Sequence, residues 1–248
     1  MKAMIFAAGL GTQLRPLTND RPKALVEVGG KPMLEHVITR LIDAGFDDIT
    51  VNIHHFGQKI IDFLDAKNNF GINIHISDER DLLLDTGGGI LKAKKFLDGN
   101  EPFLVHNADI LTSLDLKAFY DWHCKDTDSV ASLLVKHRDT ARYLLFDHND
   151  KLKGWINKKT GETRPNGFQY TSGQFDEMAF GGVHVISPEI FPLLEDYSRG
   201  GKVFSIVPLY VGECNKCTIK GYEPDYDYTW LDVGKPETLA LAQKLFEK

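Results

Sequence analysis

An apolar run from Ala3 to Ala8 ends at Gly9-Leu-Gly11, and this junction limits the folds open to the chain more than any other stretch. The run reads as a buried strand, because it carries no polar position to face water. Gly9 and Gly11 can turn the backbone through positive φ and leave it bare to a ligand. Backbone N–H groups turned inward in such a loop bind anionic oxygens. Arg15 and Lys23 follow with fixed positive charge. Together these features suit a polyphosphate.

The segments that follow repeat strand and helix. Val26–Gly30 reads as a short strand and turn, and Pro32 can open a helix that runs to about Ala44, where Gly45 stops it. Met33, Leu34, Val37, Leu41 and Ile42 recur in it at helical spacing. A strand over 48–53, a helix over 58–66 and a strand over 72–76 come next. Thr86-Gly-Gly-Gly89 then precedes a helix with Ile90, Leu91, Ala93 and Phe96, and Phe103–His106 is a fourth strand that ends at Asn107-Ala-Asp109. This alternation predicts an α/β fold: a Rossmann-like, mixed but mostly parallel sheet with helices on both faces. Ligands in such sheets bind at the carboxyl ends of strands. The glycine loop, Asn52, Asp78 and Asp109 all follow strand ends, so they can converge.

Beyond Asp109 the pattern changes. A helix over 116–124 leads to a strand over 129–136, and the alternation from Tyr143 to Trp155, broken by Asp147–Asp150, reads as a hairpin. The polar stretch 157–176 reads as an exposed loop. A strand over 178–186, a short helix from Pro188, strands over 217–221 and 229–233 and a closing helix from Pro236 complete the chain.

Composition narrows the function classes. The 248 residues are 42% hydrophobic, enough for one large domain over 1–248. There is no apolar run long enough for a membrane span and no separate signal-peptide pattern at the start. A net charge of −6 makes nucleic acid a poor partner, so phosphates must be met by local Lys, Arg, backbone amides and metal. Cys124, Cys214 and Cys217 suit a reducing, cytoplasmic setting. Cys214-Asn-Lys-Cys217 has metal-ligand spacing, but a lone pair is an incomplete zinc site.

Two familiar phosphate loops do not match. Leu14 stands where a dinucleotide fingerprint needs its third glycine, and no Gly-Lys-Ser/Thr follows for a Walker loop. The extended form does match a family: a strand, Gly9-Leu-Gly-Thr12, Pro16-Leu-Thr18 and Pro22-Lys23 resemble the signature of the sugar-1-phosphate nucleotidyltransferases. The resemblance runs from this loop to Asp232. It is closest in pattern to uridylyltransferases acting on N-acetylmuramate 1-phosphate and to guanylyltransferases acting on mannose or heptose 1-phosphate. It implies the nucleotide-diphospho-sugar transferase fold, with a nucleotide-binding half over 1–125 and a sugar-binding half over 126–248. The implied substrates are a nucleoside triphosphate and a sugar 1-phosphate, with Mg²⁺ as cofactor and pyrophosphate released. The chain ends soon after the last motif, without the long β-helical extension of acetylating relatives, so no second activity is expected.

The resemblance also implies roles. Asp109 and Asp232, the latter in Trp230-Leu-Asp-Val-Gly234, would hold the Mg²⁺; the plainer reading of each is a cap or turn aspartate. Lys23, Arg15 and Asp109 would act at the reacting phosphate. Ala8, Gly9, Gly11, Thr12 and Gln13 would cradle the triphosphate. Asn52 and Thr86-Gly87-Gly88 would face the nucleoside, against the plainer reading of the glycines as a flexible turn before a helix. Gly182 and Asn157 would meet the sugar.

One position departs from the pattern. The family usually has arginine after Gly-Thr, where it neutralises the leaving pyrophosphate, and this chain has Gln13. Losing a transition-state cation costs several kcal/mol. Arg15 could substitute, or the protein could be a catalytically weak nucleotide- or sugar-nucleotide-binding module with a regulatory role. A third reading is a cytidylyltransferase for phosphocholine-like alcohols. It requires an aromatic box, for which Tyr222, Tyr226, Tyr228 and Trp230 are the candidates.

Overall fold

The first apolar run supplies the middle strand of the molecule, and the sheet grows outward from it on both sides. In the computed structural model, which describes residues 1–246, β1 (Lys2–Phe6) is followed by the short β2 (Glu27–Val28) and β3 (Lys31–Pro32) and by helix α1 (Met33–Asp43). Next come β4 (Asp48–Ile53) with α2 (Gly57–Ala66), and β5 (Asn73–Asp78) with α3 (Asp85–Lys92) and its one-turn continuation α4 (Lys94–Leu97). β6 (Phe103–Asn107), β7 (Ile110–Thr112) and α5 (Leu116–Lys125) close the first half. The second half opens with β8 (Ser129–Lys136), the hairpin β9 (Arg142–Phe146) and β10 (Leu152–Asn157), and β11 (Thr163–Arg164). The long β12 (Asp176–Ile186), α6 (Ile190–Tyr197), α7 (Ile206–Glu213), β13 (Thr218–Tyr222), β14 (Trp230–Asp232) and α8 (Pro236–Phe246) complete it.

Ten strands form one mixed sheet along β11-β10-β9-β12-β6-β1-β4-β5, with β8 beside β12 and β13 beside β8. β6, β1, β4 and β5 run parallel, as strands joined by crossover helices must. β12 enters antiparallel to β6, and β9–β11 continue antiparallel beyond it. Helices cover both faces, and strand alternation shows how. Ala3 and Ile5 of β1 pack with α1, α2 and α5, whereas Met4 packs on the other side with α3, α4, α6 and α7. A third, smaller core of Leu14, Val26, Val28, Met33, Leu111, Val233, Leu239 and Ala242 ties the glycine loop's outer side to β14 and α8. No helix among the described residues is long and apolar enough to cross a membrane.

Several boundaries move from where periodicity sets them. β1 ends at Phe6, although the apolar run continues to Ala8, because the next two amides leave the ladder for a side chain. The glycines of Thr86–Gly89 lie inside α3 and not before it. The stretch after Asn157 is not all loop, since Thr163–Arg164 adds a strand to β10. β14 stands outside the main sheet and pairs only with β7, Asp232 opposite Ile110.

Three histidines are buried in this core. The His106 ring donates from Nδ1 to the Asn107 carbonyl (2.8 Å), His184 Nδ1 meets the Tyr210 hydroxyl (2.7 Å), and His123 sits between Ser132 (2.7 Å) and Ser187 (2.9 Å). Burial lowers all three from 6.5, to about 4 for His106 and His123 and to about 3 for His184. Unfolded histidines take up protons as pH falls below 6.5, while these stay neutral. Their contribution is therefore present above pH 6.5 and is lost as pH falls toward 4, by about 1.4 kcal/mol per histidine per pH unit at the steepest. Urea midpoints measured from pH 7 to 4.5 are expected to fall accordingly. His184→Phe should remove one proton's worth of that slope, and an unchanged slope would contradict this account.

Candidate active site

A cavity of about 500 Å³ opens where β1, β4 and β6 end. One of its walls is the turn after β1. As the chain leaves the sheet, Asn52 at the equivalent level of β4 takes over its hydrogen bonds: Asn52 Oδ1 accepts from the N–H groups of Ala7 (2.7 Å) and Ala8 (3.2 Å). Asn52 Nδ2 in turn donates to Glu79 Oε1 (2.8 Å), and Glu79 Oε2 accepts from the Leu84 N–H (3.0 Å). Glu79 has no exposed surface, and burial pushes its carboxyl above the ordinary glutamate value despite these donors. The carboxylate can only accept, so it fixes which way the Asn52 amide faces.

Gly11 adopts φ +66°, and a Cβ there would lie 3.0 Å from Thr18 and 3.1 Å from Lys23. The Thr18 hydroxyl donates to the Gly11 carbonyl (2.7 Å). The loop therefore folds back on itself and brings Lys23 beside its own start. Ala8, Gly9, Gly11, Thr12, Gln13 and Lys23 all line the cavity. Arg15 does not: it is exposed and lies outside the cavity lining.

Lys23 pairs with one aspartate, and a second, Asp232, stands near it without pairing. The Lys23 ammonium forms its ion pair with Asp109. The Asp109 carbonyl accepts from Val233 N–H (2.8 Å), which brings the end of β14 against β7. Asp232 Oδ1 accepts from Gly234 N–H (3.0 Å). A Cβ on Gly234 would stand 2.8 Å from that oxygen and 3.2 Å from Lys23 Nζ, so only glycine leaves the carboxylate and the ammonium this close. Among the described residues no group of three or more His, Cys, Asp and Glu gathers to hold a metal. Two aspartates beside a phosphate loop fit Mg²⁺, which takes one or two carboxylates and completes its shell with water and substrate oxygens.

The remaining sequence candidates divide. Asn52 and Thr86 line the cavity, with Asp85 and Glu79 between them. Gly87 and Gly88 do not: Cβ atoms there would lie 2.4 Å from the Phe204 ring and 2.3 Å from the Lys202 carbonyl, and both N–H groups donate to the Phe204 carbonyl (2.9 and 3.2 Å). These glycines admit the segment before α7. Gly182, at φ +74°, backs onto Asn107 of the cavity. Asn157 lies in a neighbouring cleft, apart from the cavity. Asp78 turns outward into a fork from Arg80 Nε (2.9 Å to each oxygen). In the sequence Glu79 is masked by Asp78, the carboxylate that ends β5. The available signal was an acid five residues before a leucine-aspartate helix start.

The aromatic-box reading does not survive the geometry. Tyr222 stacks on Phe119 (4.5 Å), while Lys136 already covers Tyr228 (4.4 Å) and Trp230 (5.3 Å). Cys214 is buried with its thiol pushed up to about 11, and its Sγ donates to the Val211 carbonyl.

Comparison with known proteins identifies the family. The family model described as nucleotidyl transferase matches residues 2–248. The chain is 35% identical over 246 residues to the N-acetylmuramate alpha-1-phosphate uridylyltransferase of Neisseria meningitidis serogroup B, covering 99% of this chain and 98% of that protein. It is 34% identical to the protein of the same name from Caulobacter vibrioides, covering 97% and 95%. The fold matches the crystal structure of a putative glucose-1-phosphate thymidylyltransferase from Bacillus anthracis with a TM-score of 0.82, at 19% identity and over 100% of this chain and 96% of that one.

The Asn52–Glu79 relay can be tested directly. Glu79→Gln replaces an acceptor with a donor against Leu84 N–H or Asn52 Nδ2, and leaving a buried donor unpaired costs about 1–3 kcal/mol. Because the folded Glu79 pKa is raised, its favourable contribution holds below pH 4.5 and is lost as pH rises through the folded value. The stability gap between wild type and Glu79→Gln, read from urea unfolding, is expected to narrow as pH rises. A gap independent of pH would rule out this burial effect.

Proposed function

The chain belongs to the nucleotidyl transferase family, and from that premise we propose that it is a Mg²⁺-dependent enzyme joining a nucleoside triphosphate to a sugar 1-phosphate. Relatives named for uridylyl and thymidylyl transfer share the product class, an NDP-sugar with release of pyrophosphate. The observation that carries the reading is the Lys23–Asp109 ion pair in the cavity beside the glycine loop, with Asp232 close by, its carboxylate held by the Gly234 N–H.

Attacking phosphate and α-phosphate are both anionic, so the site must first remove their repulsion. Asp109 and Asp232 would hold Mg²⁺, which supplies positive charge at the phosphate oxygens when bound. Lys23, paired with Asp109 in the free protein, would turn its ammonium to the α-phosphate oxygens as the triphosphate enters. The backbone from Gly9 to Gln13 would hold the β- and γ-phosphates through its N–H groups. Residues 1–125 would thus carry the nucleotide and residues 126–248 the sugar. The acceptor's phosphate oxygen would attack in line, and the bond to pyrophosphate would break with no covalent enzyme intermediate.

Gln13 favours a second reading, a weakly catalytic nucleotide-binding module. It faces the cavity with an amide where a charge would help the leaving group, and Arg15 lies outside. Pyrophosphate release with Mg²⁺, across triphosphates and sugar 1-phosphates, separates the two. The transferase reading expects turnover with one pair and a loss of about 10²–10³-fold in Lys23→Ala, the scale of a lost transition-state charge contact. Asp109→Asn should abolish it. Gln13→Arg is expected to raise kcat about tenfold or more. Tight triphosphate binding with no turnover in either wild type or Gln13→Arg would favour the module.

A further inference from the structure

The lining of the cavity is short of positive charge. Lys23 is its one cationic side chain, set against the carboxylates of Glu79, Asp85 and Asp109. Gln13 reaches it with an amide, which can donate a hydrogen bond but carries no charge. A triphosphate brings several negative charges here, and the reaction shifts charge toward one end of it. The acceptor oxygen forms its bond to the α-phosphorus while the bond from that phosphorus to the bridging oxygen breaks. The electron pair of the broken bond stays on the bridging oxygen and leaves with the pyrophosphate. Charge therefore grows at the β-phosphate, beyond the oxygens that Lys23 would meet.

A cation without a partner stands at the rim. Gly234 is buried in the lining, and a Cβ on it would lie 3.2 Å from Lys23 Nζ and 2.8 Å from Asp232 Oδ1. Lys235 is the next residue. Consecutive Cα atoms are ~3.8 Å apart, so its backbone lies within about 9 Å of the Lys23 ammonium. That backbone is fixed on both sides. Val233, two residues before it, is buried in the third core and donates its N–H to the Asp109 carbonyl (2.8 Å). Lys235 N–H donates to Thr238 Oγ1 (3.3 Å), and the Thr238 hydroxyl donates to the Lys235 carbonyl (3.0 Å). Leu239, buried in the same core, donates its N–H to that carbonyl as well (2.9 Å). The Lys235 side chain is left exposed, and among the described residues no carboxylate oxygen stands within 4.0 Å of its ammonium. A flexible four-carbon stem on a rigid base can carry that ammonium over the cavity mouth.

Other cations near the loop are placed differently. Leu14 enters the third core, and Pro16 and Leu17 line a separate cleft against α8, so the chain at Arg15 is turning away from the cavity. Arg21 is paired with Asp20 (3.1 Å). Lys202 precedes Val203 of the lining, but its carbonyl is pressed against Gly88 of α3 and not against the Lys23 side.

We propose that Lys235 binds phosphate: its ammonium meets the β- and γ-phosphates of the bound triphosphate and neutralises the pyrophosphate as it leaves. The inference rests on the reading above that the chain transfers a nucleotidyl group. Lys23 then serves the α-phosphate, and Lys235 the two phosphates that depart. Lys23 must give up Asp109 to do this, whereas Lys235 has no ion pair to break.

The test is calorimetry in Mg²⁺ buffer with inorganic pyrophosphate, and with the tightest-binding ribonucleoside triphosphate and its monophosphate. Wild type, Lys235→Ala, Lys235→Arg and Lys202→Ala are compared, with thermal melts as a fold control. Lys235→Ala is expected to weaken pyrophosphate and triphosphate about tenfold, the scale of one charge-assisted hydrogen bond, and to leave the monophosphate unchanged. Lys235→Arg keeps the charge and should retain most of the affinity. In turnover with the substrate pair that wild type uses, Lys235→Ala should lower kcat while KM for the sugar 1-phosphate holds. Equal pyrophosphate affinity in wild type and Lys235→Ala, an equal loss for the monophosphate, or the same loss in Lys202→Ala overturns the proposal. Each of these leaves the transferase reading standing as long as pyrophosphate is still released. If no substrate pair turns over, that reading fails on its own. Lys235-dependent pyrophosphate binding would then still support the assignment, and a wild type that binds no pyrophosphate would end it.

Discussion

The active-site end of the molecule depends on one exchange of hydrogen bonds. As β1 leaves the sheet, the N–H groups of Ala7 and Ala8 would be stranded in a buried place. Asn52 takes both, and Glu79 holds Asn52 in the orientation that allows it. A buried donor without a partner is costly, so the path of the chain into the glycine loop is set by a side chain on the next strand. The same carboxylate receives the Leu84 N–H just before α3, so the loop and the opposite cavity wall share one anchor.

Around that anchor, charge is used sparingly and locally. The chain is acidic overall, yet the cavity and the cleft beside it bring cations inward. At the first, Lys23 neutralises Asp109 near Asp232, so the free protein holds an ion pair there and not a bare charge. At the second, arginines stand on stiff strands with little acid to answer them. The cavity lies at the ends of the parallel strands and the cleft on the antiparallel extension of the same sheet.

Glycine has three separate uses in this site, and sequence alone cannot tell them apart. Gly11 is needed for its positive φ, Gly234 for the space between Asp232 and Lys23, and Gly87 and Gly88 for the close approach of the 202–204 segment. Read in sequence, the Gly87–Gly88 pair looks like a surface for a nucleoside. The contacts that explain it come from more than a hundred residues away, which no local pattern can register.

The sequence by itself determined the α/β plan, the buried first strand and the glycine loop that follows it, and it singled out Lys23, Asp109 and Asp232 as candidates. These follow from periodicity and from residue chemistry, which act over a few positions. The resemblance of the loop to a transferase signature was legible for the same reason. Tertiary structure alone decided that Arg15 lies outside, that Asp78 turns away while Glu79 turns in, and that Asn157 joins three arginines in a separate cleft. Each of those outcomes is a choice of direction or of partner. It is settled by strand register and by buried hydrogen bonds between segments distant in the chain, which composition and spacing do not encode.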